Sequence, residues 1–101
     1  MAAYIVAVCE ITNFNEGMKE YVRRSEELVH KAGGEYVVRG PAAKVLEGTY
    51  LPGKYTIVSK FPDMDALKSF AEGDEYVKEV KPLRAGTGTY EVAAYEEADA
   101  K

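Results

Sequence analysis

The stretch Tyr4–Thr12, YIVAVCEIT, limits the fold more than any other segment of the chain. β-Branched and aromatic residues dominate it, so it reads as a strand. Side chains alternate across a strand, which puts Ile5, Ala7, Cys9 and Ile11 on one face and Tyr4, Val6, Val8, Glu10 and Thr12 on the other. Both sets are largely apolar. A strand of this kind belongs in a sheet covered on both faces. Cys9 then reads as a small buried hydrophobe, because no nearby feature promises a lowered thiol pKa.

Asn13 or Asn15 is a suitable N-cap for a helix running to about Ala32. Met18, Tyr21, Val22, Ser25, Leu28, Val29 and Ala32 form one stripe at three- and four-residue spacing. His30 lies off that stripe, and Arg23, Arg24, Glu26 and Glu27 read as a solvated face. Gly33-Gly34 ends the helix. The next stretch, Gly34–Pro62, holds extended segments: a strand at Glu35–Arg39, a break at Gly40-Pro41, and a resumption at Lys44–Tyr50. Pro52-Gly53 fits the centre of a type II turn before a strand at Lys54–Phe61. Asp63 caps a short helix carrying Leu67, Phe70 and Ala71. A second helical piece with Tyr76, Val77 and Val80 ends near Pro82. Gly88–Tyr95 is the closing strand, and an acidic tail frays after it.

The order β-α-β-(β)-β-α-β specifies an α+β, ferredoxin-like βαββαβ fold: an antiparallel sheet with two helices on one face. Residues 1–96 form one domain, with 97–101 as the tail. Two helices roof one side of a sheet that is apolar on both, so the other side is expected to meet a second copy in a homodimer. Burying roughly 600 Å² there would contribute about 15 kcal/mol before association costs.

A net charge of −4 argues against nucleic acid or an anionic membrane as the main partner. The longest apolar run, Ala2–Cys9, is far short of the roughly 20 residues that span a bilayer. It also lacks the basic leader and cleavage site of a signal peptide. One cysteine allows no internal disulfide, which points to a cytoplasmic protein. That cysteine and a single histidine leave any metal site to carboxylates, and no metal or other cofactor is expected.

Several marks coincide in order and spacing: Gly33-Gly34-Glu35-Tyr36-Val37-Val38-Arg39-Gly40, Val45-Leu46-Glu47-Gly48, Phe61-Pro62, Glu75-Tyr76 and Lys81-Pro82-Leu83-Arg84. With them the chain, from about Ala3 to Glu96, resembles a widespread bacterial family of unknown function and about this length. That family belongs to the dimeric α/β-barrel superfamily. The resemblance implies two sheets facing each other across a dimer and a small pocket in each subunit between sheet and helices. Superfamily members include cofactor-free monooxygenases, lactone isomerases, polyketide cyclases and haem-degrading oxygenases. The chain departs from the family at Asn13-Phe14-Asn15, where Asp-Pro is common.

Arg39 and Glu47 are the candidate catalytic pair. A guanidinium at a strand end can grip an oxyanion bidentately. Burying a carboxylate within an apolar strand raises its pKa toward that of a general base, whereas an arginine neighbour lowers it. The alternatives are an ion pair between the two, or a Glu47 turned to solvent on an edge strand. Arg84, Tyr36, Tyr55 and Tyr95 are the candidate substrate-binding residues. Arg84 can equally satisfy helix C-terminal carbonyls, and the tyrosines can equally be core residues with a wet hydroxyl. Ala85-Gly86-Thr87-Gly88 precedes a strand and so cannot be a phosphate loop. One histidine off the apolar stripe cannot anchor a nucleophilic triad. Two readings follow. One is a cofactor-independent isomerase, cyclase or oxygenase acting on a small carbonyl or phenolic compound. The other is a non-catalytic metabolite-binding or structural dimer.

Overall fold

The computed structural model describes residues 1–98. Its elements are β1 (Ala3–Ile11), α1 (Glu16–Lys31), β2 (Glu35–Pro41), β3 (Tyr55–Phe61), α2 (Met64–Ala71) and β4 (Gly88–Glu96). A π-helical turn, Glu75–Val80, and a 3-10 turn, Lys81–Arg84, link α2 to β4. The sheet order is β2-β3-β1-β4 with every pair antiparallel. This is the ferredoxin-like α+β arrangement.

Local chemistry sets the helix limits. Asn15, not Asn13, caps α1 by accepting from the Met18 amide at 2.9 Å. Gly33 takes a φ of +83°, which lets the Gly33 amide reach the His30 carbonyl and the Gly34 amide reach that of Val29. That pair of bonds is a Schellman closure. Asp63 caps α2 by accepting from the Ala66 amide at 2.8 Å. Both helices bury apolar stripes on one face of the sheet, where Val29 and Leu67 meet Ala3, Ile5 and Phe61.

Two strand expectations are corrected. β2 continues through Gly40-Pro41 instead of breaking there. It is an edge strand, and Pro41 is its last residue, the setting in which a sheet tolerates proline. Lys44–Tyr50 forms no strand; it lies in a loop in which Gly48 and Gly53 take positive φ and Leu46 is 82% exposed. The loop is tethered by its end: the Tyr50 hydroxyl bonds Glu91 on β4, and Lys54 pairs with Glu10 at 3.4 Å. The second helical region is also less regular than expected. After Gly73 the chain winds through i→i+5 bonds, and Pro82 then holds it to one 3-10 turn.

The face away from the helices presents Tyr4, Val6 and Val8 beside Val58, Val38, Ala93 and Tyr95. Val38 and Tyr95 are about half exposed there. β4 extends to Glu96, and Glu97 is still held to the start of β1 by a 2.9 Å bond to the Ala2 carbonyl. Residues 99–101 of the expected tail lie outside the described residues. Among the described residues, no helix is long and apolar enough to cross a membrane.

Candidate functional site

A cavity of about 620 Å³ lies between the sheet and its helices. Ile5, Ala7, Cys9 and Ile57 form its floor, and Met18, Val22 and Val29 of α1 contribute to its roof. Its walls are aromatic: Phe14, Tyr21, Tyr36, Tyr55, Phe70, Tyr76 and Tyr90. Register explains much of this. Tyr55 and Tyr90 both pair with Cys9, so all three project to the helix side in one row.

Arg39 reaches the cavity because of a defect. Residues three apart in a regular strand face opposite ways. Between Tyr36 and Val38 the register of β2 against β3 slips by one residue. The bulge returns Arg39 to the same side as Tyr36, and its guanidinium stacks 4.5 Å from the Tyr36 ring. It is not free. Its Nη1 donates to Glu26 of α1 at 3.0 Å, closing an ion pair between β2 and α1.

At the other edge Arg84 leaves the 3-10 turn and lies between two rings, 4.2 Å from Tyr90 and 5.4 Å from Tyr21. Its Nη1 donates to the Tyr21 hydroxyl at 3.2 Å, and that hydroxyl shares a 2.8 Å bond with Tyr76. Behind it Thr87, fully buried, donates to the Arg84 carbonyl and bonds the Tyr90 hydroxyl. The Thr87 carbonyl accepts from the amides of Thr12 and Asn13, anchoring the turn to the end of β1. Among the described residues no carboxylate pairs with Arg84.

Burial pushes the Tyr76 phenol well up, and the neighbouring Tyr21 hydroxyl adds to the effect. Burial likewise raises Tyr36, and it raises the Cys9 thiol against the opposing pull of Arg84. These groups are therefore neutral near pH 7: donors, not bases. A phenol whose folded pKa exceeds its ordinary value near 10 contributes stability fully below pH 10 and loses it as pH climbs toward the folded value. Unfolding midpoints are accordingly expected to be flat near neutral pH, to begin falling as the Cys9 thiol's ordinary range is passed, and to fall further above about pH 10. Tyr76→Phe should reduce that fall. A midpoint unchanged to pH 12 would show that Tyr76 ionises in place.

Of the six residues singled out in the sequence, Arg39, Arg84, Tyr36 and Tyr55 line this cavity. Glu47 and Tyr95 do not. Glu47 sits in the exposed 42–54 loop, and the arginine paired with it in expectation bonds Glu26 instead. Tyr95 pairs with Tyr4 and so lies on the helix-free face. Sequence reasoning passed over Tyr21, Tyr76 and Ser25. The first two read as helix core, though a hydroxyl on an apolar stripe is the signal that it must find a partner. Ser25 is 6% exposed, lines the cavity, and its Oγ has no hydrogen-bond partner among the described residues.

Among the described residues the cavity's charged lining consists of Arg39, Lys81 and Arg84, with no carboxylate and no imidazole. Such a container suits an apolar body bearing an oxygen that accepts hydrogen bonds.

The family described as "Domain of unknown function (DUF1330)" matches residues 2–98. No curated protein matches the sequence. Among solved structures, a protein of unknown function from Rhodopseudomonas palustris superposes with a TM-score of 0.73 at 16% identity, over 97% of this chain and 83% of that one. SnoaB, a cofactor-independent oxygenase from Streptomyces nogalater, gives 0.64 at 13% identity over 98% and 95%. A conserved protein from Methanosarcina mazei Go1 gives 0.58 at 19% over 97% and 94%. At these identities the likeness is one of fold.

Proposed function

This chain belongs to the DUF1330 family, and on that footing we propose that it is a cytoplasmic, homodimeric, small-molecule-binding protein. Its ligand is a small aromatic compound carrying a carbonyl or phenolic oxygen. The observation that carries this reading is the aromatic-walled cavity of about 620 Å³, whose charged side chains are all cationic. That volume lies in the range of built ligand sites, and a few fixed polar groups in an apolar lining are what orient such ligands. The fold is shared with a cofactor-independent oxygenase, which supports phenolic chemistry as a direction of search. Among the described residues the lining holds no carboxylate or imidazole, which leaves lysine, tyrosine or the substrate's own ionisation to handle a proton. Binding is the primary reading, with oxygenation of a phenol as the catalytic extension.

The dimer is formed by the helix-free face, with Val6 near its centre between Val58 and Ala93. Light scattering is expected to give twice the mass of one chain, and Val6→Lys to give a folded monomer, because a lysine there must be desolvated in the interface. A Val6→Lys protein that remains dimeric would remove this face from the interface. For the ligand, a panel of mono- and bicyclic phenols and aromatic ketones is screened by the shift in unfolding temperature. At a hundredfold excess over Kd, a ligand adds about 2.7 kcal/mol to the folded state. Binders are expected at one per chain; a panel that leaves the unfolding temperature unmoved throughout sinks the reading.

A further inference from the structure

The two arginines of the cavity are not equivalent, and the difference specifies the ligand's chemistry. Arg39 spends its charge on Glu26 at 3.0 Å. Arg84 has five N–H groups, and the structure commits one to a neutral acceptor, the Tyr21 hydroxyl. Proton counting extends the contrast. Tyr21 and Tyr76 bring two phenolic protons and share one hydrogen bond, so one proton remains to be donated whichever phenol is the donor. Both rings line the cavity, and among the described residues no carboxylate side chain does. The Arg84–Tyr21–Tyr76 cluster is thus a surplus of donors, one of them a full positive charge, half-buried against a largely apolar and aromatic lining.

We infer that the Arg84–Tyr21–Tyr76 cluster is an oxyanion site, and that the ligand is an aromatic monoanion: a carboxylate, phenolate or enolate whose charged oxygen sits on Arg84. The inference rests on the cavity being a ligand site and goes further by fixing the charge of the ligand and the end at which it binds. Ser25 adds a second coordinate. It lies four residues beyond Tyr21 on the same face of α1, one helical turn and about 6 Å away, and its buried hydroxyl is unpartnered. A ligand with a hydroxyl or carbonyl substituent at that distance from its charged oxygen satisfies it. Arg39 is the weaker partner for the anion, because Glu26 already balances its charge at 3.0 Å.

The test is a charge series on one ring system: 1-naphthoate, 1-naphthalenemethanol and 1-naphthylmethylammonium. The chain has no tryptophan, so naphthyl fluorescence excited to the red of tyrosine absorption is read without protein emission. 1-Naphthoate is expected to bind at least tenfold more tightly than the alcohol, and the ammonium most weakly. Arg84→Met should abolish the preference for the anion, whereas Arg39→Met should keep it. Should Arg84→Met fold poorly by circular dichroism, Arg84→Lys serves instead. It is expected to preserve the sign of the preference while reducing its size. Equal affinities across the series in the wild type overturn the oxyanion site but leave the cavity a ligand site. A preference that survives Arg84→Met and disappears in Arg39→Met moves the anion to the other edge and overturns the assignment. No binding by any member removes the ligand-site reading together with this one.

Discussion

Gly88→Ala is expected to destabilise the fold by about 4 kcal/mol or more, a large share of what a domain this size possesses. Gly88 opens β4 opposite Ile11 with a φ of +157°, and a Cβ built there lies 2.0 Å from the Glu10 carbonyl oxygen and 2.9 Å from the Ile11 Cα. Those neighbours are backbone atoms of the central strand, so no rotamer change relieves the clash. The strand must part from β1 at that end, which also disturbs the Thr87 anchor one residue earlier. Urea denaturation measures the loss. A variant within about 1 kcal/mol of wild type would mean that β4 can begin a residue later at no cost.

Phe61→Ala is expected to cost about 3–5 kcal/mol. Its ring is 1% exposed, stacks on Phe70 at 5.8 Å, and closes against Gly34, where an added Cβ would lie 2.8 Å from it. Deleting the ring leaves a hole that Gly34 has no side chain to fill, so relaxation is poor and the upper part of the range applies. Phe70 also lines the cavity and packs, tilted, on Tyr76 at 4.7 Å. The same variant should therefore weaken naphthoate binding, although Phe61 does not itself line the cavity. Denaturation and fluorescence titration read the two effects separately. Full affinity in a destabilised Phe61→Ala protein would show that the aromatic wall stands without its backing.

The sheet and helices were legible because their causes are local. Alternation exposed β1 and β3, and Asn15, Asp63 and Gly33 ended helices through bonds to near neighbours. Lys44–Tyr50 misled for the opposite reason. Its composition tolerates an extended chain, but a strand needs an adjacent edge with which to exchange hydrogen bonds, and none of the β ladders includes this segment. That error carried Glu47 into the expected site. Tyr95 was avoidable: it lies five residues from Tyr90 in one strand, so the two cannot face the same side. The bulge at Val37 was not legible, since neither glycine nor proline marks it, yet it is what puts Arg39 and Tyr36 together. Nor can composition reveal that one arginine is neutralised by Glu26 while the other is left without a carboxylate. That distinction exists only once α1 is laid across the sheet.

Arg84 rides on a four-residue turn that contributes nothing to the sheet's ladder. Its side chain is gripped by aromatic rings, not by the strands that build the vessel. The charge at this one position is therefore exchangeable without rebuilding the vessel. On the proposed oxyanion site, kin that keep the tyrosine rings are expected to carry a basic residue here when their cargo is an acid and a neutral one when it is an uncharged aromatic.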